Sequence, residues 1–222
     1  MLAGRDPGVG YLLSDMAEDA AGLLDCLGIG SAHVVGISMG GMIAQTLAIN
    51  HSERLRSLCS IMSNTGDPTV GQPTHEAIAA LLQPPPQDKQ GAIDFAMNIW
   101  RVIGSPAYPF DAEATRELVE AAYDRCHDPD GVARQAAAIL ASGDRTAALG
   151  DVRVPTLVIH GDSDPLVDVS GGRATAAAIP GAQLLIIEGM GHDLPVQLYD
   201  RVLDAVIAHF SGSKDRPAGA AS

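Results

Sequence analysis

Three residues of the sequence have the types and the chain order needed for nucleophilic catalysis by serine: Ser38, Asp164 and His192. A serine hydroxyl is a weak nucleophile until a base removes its proton, and that base must be oriented by a third group. A histidine that takes the proton and a carboxylate that orients the histidine meet both needs. The three residue types therefore predict acyl transfer through an ester formed on Ser38.

Ser38 lies in the stretch HVVGISMGGMIAQTLA, which contains the pattern Gly-x-Ser-x-Gly. An apolar run at 33–37 predicts a short buried strand before the serine, and 41–50 predict a helix after it. A serine at such a turn is typical of a nucleophile elbow, where small residues at Gly36 and Gly40 let the strained turn pack closely. The alternative is a serine that only caps the following helix.

The acid and the base each follow a predicted strand directly. The stretch HGDSDPLVD contains Asp164 and follows the strand predicted at 156–160. The stretch GMGHDLP contains His192 and follows the strand predicted at 183–188. Because loops at the carboxyl ends of parallel strands converge above the sheet, these side chains can meet Ser38 there.

Each of these loop residues also has a simpler interpretation. Asp162 could be the acid, and Asp164 could only cap the turn before Pro165. His192 could be a surface histidine without a catalytic partner. His160, which ends a predicted strand, is expected near the site as a supporting residue.

Helix and strand alternate on both sides of the candidate residues. A first helix is predicted to be capped by Ser14 or Asp15, and its apolar face is expected to comprise Met16, Ala20, Leu23, Leu24 and Leu27. This alternation predicts an α/β fold with a parallel sheet and crossover helices. The remaining predicted elements are strands at 33–37, 54–63, 156–160 and 183–188 and helices at 41–50, 172–179 and 195–210.

Between residues 64 and 148 the strand-like runs stop and helical segments follow one another. Their periodicity predicts helices at about 76–83, 90–102, 112–124 and 131–141. Four short helices between two sheet strands predict a helical cap, so we divide the chain into a core at 1–63 and 149–210, a cap at 64–148 and a disordered tail at 211–222. The alternative is an all-helical second domain without bearing on the site.

The predicted cap contains large apolar residues that could form an acyl or alcohol pocket. Trp100, Tyr108 and Phe110 are the candidate pocket residues, together with Phe95 and Met97. The same five side chains could instead form the core of the cap.

Composition excludes several classes of function. The 222 residues carry a net charge of −13, so no basic stripe exists to neutralise nucleic acid or an anionic membrane, and the charge serves solubility. No histidine pair has the spacing of a zinc site, and Gly28-Ile29-Gly30 lacks the third glycine of a dinucleotide site. We therefore expect neither a metal nor another cofactor.

The cysteines and the apolar runs indicate the compartment. Cys26, Cys59 and Cys126 are far apart, which is unlike a disulfide framework, and Cys26 and Cys59 are expected in the core. No pattern of a signal peptide and no membrane-spanning run is present, so the expected location is the cytoplasm.

The stretches AHVVGISMGGMIAQTLA, PTLVIHGDSDPLV and GMGHDLP resemble three blocks of the α/β-hydrolase superfamily. The resemblance extends over about 11–210 and is strongest to the branch of aclacinomycin methylesterase-like and enol-lactonase-like enzymes. It implies a small ester or lactone substrate, Ser38 as nucleophile, Asp164 as acid and His192 as base. It also implies that the backbone N–H of Met39 is one donor of the oxyanion hole. Cofactor-free perhydrolysis and C–C hydrolysis use the same three residues and remain alternatives.

The N-terminal part departs from this resemblance. The family has several strands before the elbow, whereas residues 1–37 supply one helix and one strand, and no His-Gly block precedes Ser38 to carry a second oxyanion donor. We therefore expect an N-terminally truncated sheet with the elbow strand at its edge. Two consequences are expected: weak or absent esterase activity, as of a fragment with an incomplete oxyanion hole, and a homodimer formed through that edge.

Overall fold

Four parallel strands form the centre of the protein, in the computed structural model that describes residues 10–84, 86 and 88–213. Along the sheet the order is β1-β2-β3-β4, the same as in the sequence. The predicted α/β class with a parallel sheet is confirmed. The strands are β1 Ala32–Ile37, β2 Leu55–Ile61, β3 Thr156–Gly161 and β4 Gln183–Ile187.

Helices precede, connect and follow the strands. The predicted helices are present with ends shifted by a few residues, and the short α7 was not predicted. The helices are α1 Leu13–Cys26, α2 Met39–Asn50, α3 His75–Leu81, α4 Lys89–Ile103, α5 Ala112–Arg125, α6 Pro129–Ser142, α7 Thr146–Leu149, α8 Val169–Ala178 and α9 Tyr199–Gly212, with 3-10 turns at Ser52–Arg54 and Val196–Leu198.

The predicted tail begins too early. Helix α9 continues to Gly212, and Ser213 is buried and donates a hydrogen bond to the His209 carbonyl at 2.8 Å. The disordered tail predicted from residue 211 is therefore wrong for 211–213, and 214–222 lie outside the described residues.

Two apolar layers fill the space on the two faces of the sheet. Helices α1 and α2 contribute to the first layer, and α9 closes the second. The first layer contains Ala17, Ala21, Ala44, Leu47, Ala48, Leu55, Leu58, Leu149, Val152, Val154 and Ile179. The second contains Cys59, Ile61, Met62, Leu157, Ile159, Ile187, Met190, Leu198, Val202 and Val206.

Helix α1 buries a different face from the predicted one. Its buried residues are Leu13, Ala17 and Ala21, whereas Leu23 and Leu27 are 59% and 61% exposed. The small alanine face lets α1 approach α2 closely, and close approach outweighs the larger apolar area of the leucines. The helix also begins at Leu13 with Leu12 as its N-cap residue, so the predicted capping position at Ser14 or Asp15 is wrong by two to three residues; Asp15 instead accepts the Leu12 N–H at 2.7 Å from within the first turn.

The segment between β2 and β3 is helical, and we call residues 64–148 the cap. Each of its four longer helices begins after a side chain that accepts a backbone N–H of the first turn, which is the ordinary way to satisfy an open helix start. These capping residues are Thr74, Asp88, Asp111 and Asp128.

Strand β1 lies at one edge of the sheet. Within the described residues it pairs with β2 only, and its side chains Val35 and Ile37 are 45% and 49% exposed. The structure therefore agrees with the expected edge position of the elbow strand.

The cysteines are unpaired and only one is buried. Cys59 lies in the core, where burial raises the pKa of its thiol to about 12. Cys26 ends α1 and is exposed, so its predicted core position is wrong. Among the described helices none is both long enough and apolar enough to cross a membrane.

Candidate active site

Ser38 occupies the turn between β1 and α2, as the sequence predicts. Its backbone has φ 54° and ψ −119°, a region that a side-chain-bearing residue rarely adopts. Hydrogen bonds on both sides hold this strained conformation. The Ser38 N–H donates to the Ile61 carbonyl at 2.9 Å, and the Ser38 carbonyl accepts from Gly41 and Met42 at 2.9 and 3.2 Å.

The glycines around the turn are not equally required. A Cβ at Gly36 would overlap the backbone of Gly40. The end of β1 can therefore contact the start of α2 only because Gly36 has no side chain. A Cβ at Gly40 would meet nothing within 4 Å, and the prediction that Gly40 is small for packing is wrong. The close contact on the helix is at Gly41, where a Cβ would lie 2.7 Å from the Cβ of Ser63.

The structure brings Ser38, His192 and Asp164 together. His192 Nε2 lies 2.9 Å from Ser38 Oγ, and His192 Nδ1 lies 2.7 Å from Asp164 Oδ2. A carboxylate only accepts hydrogen bonds, so Nδ1 carries the proton and Nε2 presents a lone pair to the serine hydroxyl. Both His192 and Asp164 are buried.

Asp164 has both roles between which the sequence did not decide: it contacts the histidine and it caps the turn at Pro165. Its Oδ1 accepts the backbone N–H groups of Leu166 and Val167 at 2.9 Å each, which caps the turn, while its Oδ2 accepts from His192. Asp162 points elsewhere: its Oδ1 accepts the Gly189 N–H at 2.7 Å. Of the two candidate acids, only Asp164 contacts the histidine.

His160 lies directly beside the acid. The side chain is buried, with Nε2 2.7 Å from the Val167 carbonyl and 3.6 Å from Asp164 Oδ2. Its Nδ1 has no hydrogen-bond partner among the described residues, and burial lowers the pKa of the imidazole. His160 is therefore a neutral support whose proton lies on Nε2 and is donated to Val167, in keeping with the expected supporting position.

Met39 begins helix α2 immediately after the serine. The first four N–H groups of a helix have no partner within the helix, and they carry the positive end of its dipole. The Met39 N–H belongs to this group and is adjacent to Ser38 Oγ in the chain.

A groove of about 270 Å³ lies between the cap and the two loops that carry the acid and the base. Tyr108 and Phe110 line it, but Trp100 does not, so the structure assigns only two of the three predicted pocket residues to this groove. Met97 is fully buried on α4 and belongs to the core of the cap. The groove is lined by Arg101, Val102, Gly104, Ser105, Pro106, Tyr108, Phe110, Ser163, Pro165 and Asp193.

The groove borders the loops that carry Asp164 and His192, but it does not include Ser38 itself. Ser163 and Pro165 flank the acid, and Asp193 follows the base, whereas Ser38 is not part of the lining. Arg101 brings a positive charge to the groove, 5.5 Å above the ring of Phe110. Across the described residues, no three His, Cys, Asp or Glu side chains are grouped so that they could hold a metal ion.

Comparison with known proteins gives relatives of one fold. The model of the alpha/beta hydrolase family matches residues 2–206. Rhodomycin D methylesterase DnrP of Streptomyces peucetius is 30% identical over 220 residues, which cover 90% of this chain and 73% of that one. The 2-hydroxy-6-oxononadienedioate/2-hydroxy-6-oxononatrienedioate hydrolase of Paraburkholderia xenovorans is 32% identical, with 79% of this chain and 61% of that one covered.

A solved structure has the same architecture. The meta-cleavage product hydrolase CumD of Pseudomonas fluorescens superposes with a TM-score of 0.73 at 23% identity, and the match covers 94% of this chain and 75% of that chain. At this identity the likeness concerns the fold.

Proposed function

Because the chain belongs to the alpha/beta hydrolase family, we propose that it cleaves a carboxylic ester or lactone through an acyl-enzyme on Ser38. The observation that carries this proposal is the continuous hydrogen-bond chain from Ser38 Oγ through the His192 ring to Asp164. Nucleophile, base and orienting acid have the order and the distances that acyl transfer requires.

In the first half of the reaction, Ser38 Oγ attacks the carbonyl carbon and its proton moves to His192 Nε2. The tetrahedral intermediate then expels the alcohol oxygen, which takes the proton from Nε2 and leaves an ester on Ser38. In the second half, water gives a proton to Nε2 and attacks this ester. Collapse of the second intermediate releases the acid, and the proton returns to Ser38 Oγ.

Asp164 stabilises the imidazolium that forms in each half. Two backbone N–H groups hold one carboxylate oxygen, so the other oxygen is directed at His192 Nδ1. This fixes the ring orientation and the tautomer before the substrate arrives.

The Met39 N–H is our candidate for one oxyanion donor. The amide follows the nucleophile and lies at the start of α2, where the helix dipole favours negative charge. A single donor at a comparable site contributes about 10²–10³ in turnover.

For the substrate, we propose a small ester or lactone that reaches the site along the groove of Tyr108 and Phe110. The apolar rings suit an acyl or alcohol part without charge. Since DnrP is named a methylesterase, methyl esters are the first class to test.

The decisive assay measures hydrolysis of methyl esters, p-nitrophenyl esters and lactones by the wild type and by Ser38→Ala. Ser211→Ala is a matched control, because that serine is exposed on α9 and is not part of the groove lining. We expect turnover that Ser211→Ala retains and Ser38→Ala loses. Turnover that survives Ser38→Ala would overturn the proposal.

A second candidate reaction is C–C hydrolysis of a 2-hydroxy-6-oxo-dienoate. The relative from Paraburkholderia xenovorans, whose name gives this class of substrate, favours it. Cleavage of such a dienoate without cleavage of any ester would select this alternative. Perhydrolysis would instead appear as peroxide-dependent halide oxidation in acetate.

We further propose that two copies associate through β1. In the described part of the chain one side of this strand is unpaired, and Val35 and Ile37 are exposed on it. Such an edge offers backbone N–H and C=O groups to another chain. Size-exclusion chromatography should show a dimer that Val35→Lys dissociates and Leu140→Lys, a control on the 83% exposed side chain of α6, leaves intact. Equal elution of all three proteins would contradict the proposal.

A cytoplasmic location is also part of this proposal. It is supported by three unpaired thiols, two of them exposed, which suit a reducing compartment. Fractionation of the source cells with an antibody to the chain tests it.

A further inference from the structure

The loop that carries His192 is held by the cap as well as by the sheet. We call residues 188–193 the histidine loop and residues 103–108, where α4 ends, the α4 turn. The His192 N–H donates to the Ile103 carbonyl at 2.7 Å, and the Tyr108 hydroxyl donates to the Glu188 carbonyl at 3.1 Å. The base is therefore attached directly to the cap through its own backbone.

Ser105 lies at the centre of this contact. Its Oγ accepts the Gly191 N–H at 2.8 Å and donates to the Asp193 carboxylate. Gly191 and Asp193 are the two neighbours of His192 in the chain. One hydroxyl therefore forms hydrogen bonds, one as donor and one as acceptor, to the residues on both sides of His192 in the chain.

The two segments also pack without space between them. A Cβ at Gly191 would overlap the carbonyl group of Gly104, and a Cβ at Gly189 would overlap the Cβ of Ala107. The Ala107 N–H donates to the Gly189 carbonyl at 3.4 Å. Because the backbones touch, a shift of the α4 turn must move the histidine loop with it.

We propose that Ser105 is a positioning residue for His192, through which the cap sets the position of the catalytic base. This inference rests on the proposed function, since it takes His192 as the base that activates Ser38. The base works only within hydrogen-bond reach of the hydroxyl, and a displacement of about 1 Å can cost about 10²-fold in rate. The α4 turn also contributes Ser105 and Tyr108 to the groove, so occupation of the groove and placement of the base are coupled.

The test uses Ser105→Ala and Ser105→Thr, with Ser142→Ala as the matched control. The Ser142 hydroxyl accepts the Leu13 N–H at 2.9 Å, so it also joins the cap to the core, but far along the chain from the histidine loop. We expect Ser105→Ala to lower kcat about 10-fold with KM changed less than about 2-fold. Ser105→Thr, which keeps the hydroxyl, should recover most of kcat, and Ser142→Ala should keep kcat within about 2-fold.

A double-mutant cycle with Asp193→Ala tests the shared contact. We expect Asp193→Ala alone to lower kcat about 10-fold, as Ser105→Ala does. If the Ser105 hydroxyl and the Asp193 carboxylate act as one unit, the double variant also loses about 10-fold and not about 100-fold. Losses that multiply would overturn the proposal, as would a wild-type kcat in Ser105→Ala.

Hydrogen exchange separates this inference from the proposed function, because it needs no substrate. In Ser105→Ala the amides of Gly191 and His192 should exchange at least about 10-fold faster than in the wild type, and in Ser142→Ala at the wild-type rate. Unchanged exchange in Ser105→Ala overturns the positioning role. Faster exchange in a protein without any hydrolase activity would instead refute the function and leave the mechanical coupling established.

Discussion

In the part of the chain that the structure describes, the acid–base side of the site is enclosed by chain on both sides, whereas the nucleophile side ends at an edge strand. Asp164 and His192 are buried and hydrogen-bonded to each other, Asp164 also to the loop after β3 and His192 also to the cap. Ser38 is held by β2 on one side, and its strand exposes Val35 and Ile37. The geometry of the base thus depends on many contacts, and that of the nucleophile on one tight turn.

The largest expected loss of kcat follows when either Ser38 or His192, whose side chains connect the nucleophile side with the acid–base side, is truncated. Ser38→Ala and His192→Ala should each lower kcat by about 10⁵–10⁶, because nucleophile and base act as a unit. The double variant should be little worse than either single one. Steady-state kinetics on a responsive ester measures this, and a double variant far below both singles would mean that the two residues act independently.

The next largest loss of kcat distinguishes Asp164 from Asp162, the two aspartates on the acid–base side. Asp164→Asn should lower kcat by about 10⁴, because the amide cannot hold the required tautomer of His192. Asp162→Asn should cost only about 10-fold, because Asp162 accepts the Gly189 N–H and does not contact the ring. The reverse order of the two losses would mean that Asp162 is the acid.

On the nucleophile side, the two glycines of the elbow should differ in stability. Gly36→Ala forces a Cβ into the backbone of Gly40 and should lower the free energy of unfolding by about 3 kcal/mol. Gly40→Ala has open space on the helix and should be neutral or raise it by up to about 1 kcal/mol. Urea denaturation of the two variants measures both changes, and equal destabilisation would show that the turn is not held by this contact.

The smallest effect concerns two histidines outside the triad, the buried His160 and the half-buried His209. Burial lowers the pKa of His160 below 6.5, and burial also lowers that of His209. As the pH falls below about 6.5, the unfolded chain takes up protons that the native protein does not, so the free energy of unfolding should fall. Replacing either histidine by glutamine should reduce the slope between about pH 6.5 and 5. A slope that stays the same in both variants would contradict this origin.

The sequence predicts the candidate site well because its parts are local. An apolar strand, a glycine turn and a helix around Ser38 lie within 16 residues, and the loops of Asp164 and His192 each follow a strand directly. Parallel strands then bring these loops to one edge of the sheet, so the meeting of the three side chains follows from the pattern alone. The prediction that the strand before Ser38 is buried is wrong for Val35 and Ile37, because β1 lies at the edge of the described sheet.

The mistaken predictions concern contacts between distant parts of the chain. Hydropathy favours the leucine face of α1, but the helix packs on its alanines because α2 approaches there. Gly40 belongs to the sequence pattern, yet the close contact is made by Gly41 with Ser63. The role of Ser105 could not be predicted, because its partners lie more than 80 residues away.

The most direct test of the central claim, that His192 activates Ser38 as the nucleophile, is mapping of a fluorophosphonate adduct by mass spectrometry. We expect a single adduct on Ser38 that is lost in Ser38→Ala and forms at least about 10³-fold more slowly in His192→Ala. An adduct on another serine, or labelling of Ser38 at the same rate without His192, would contradict it.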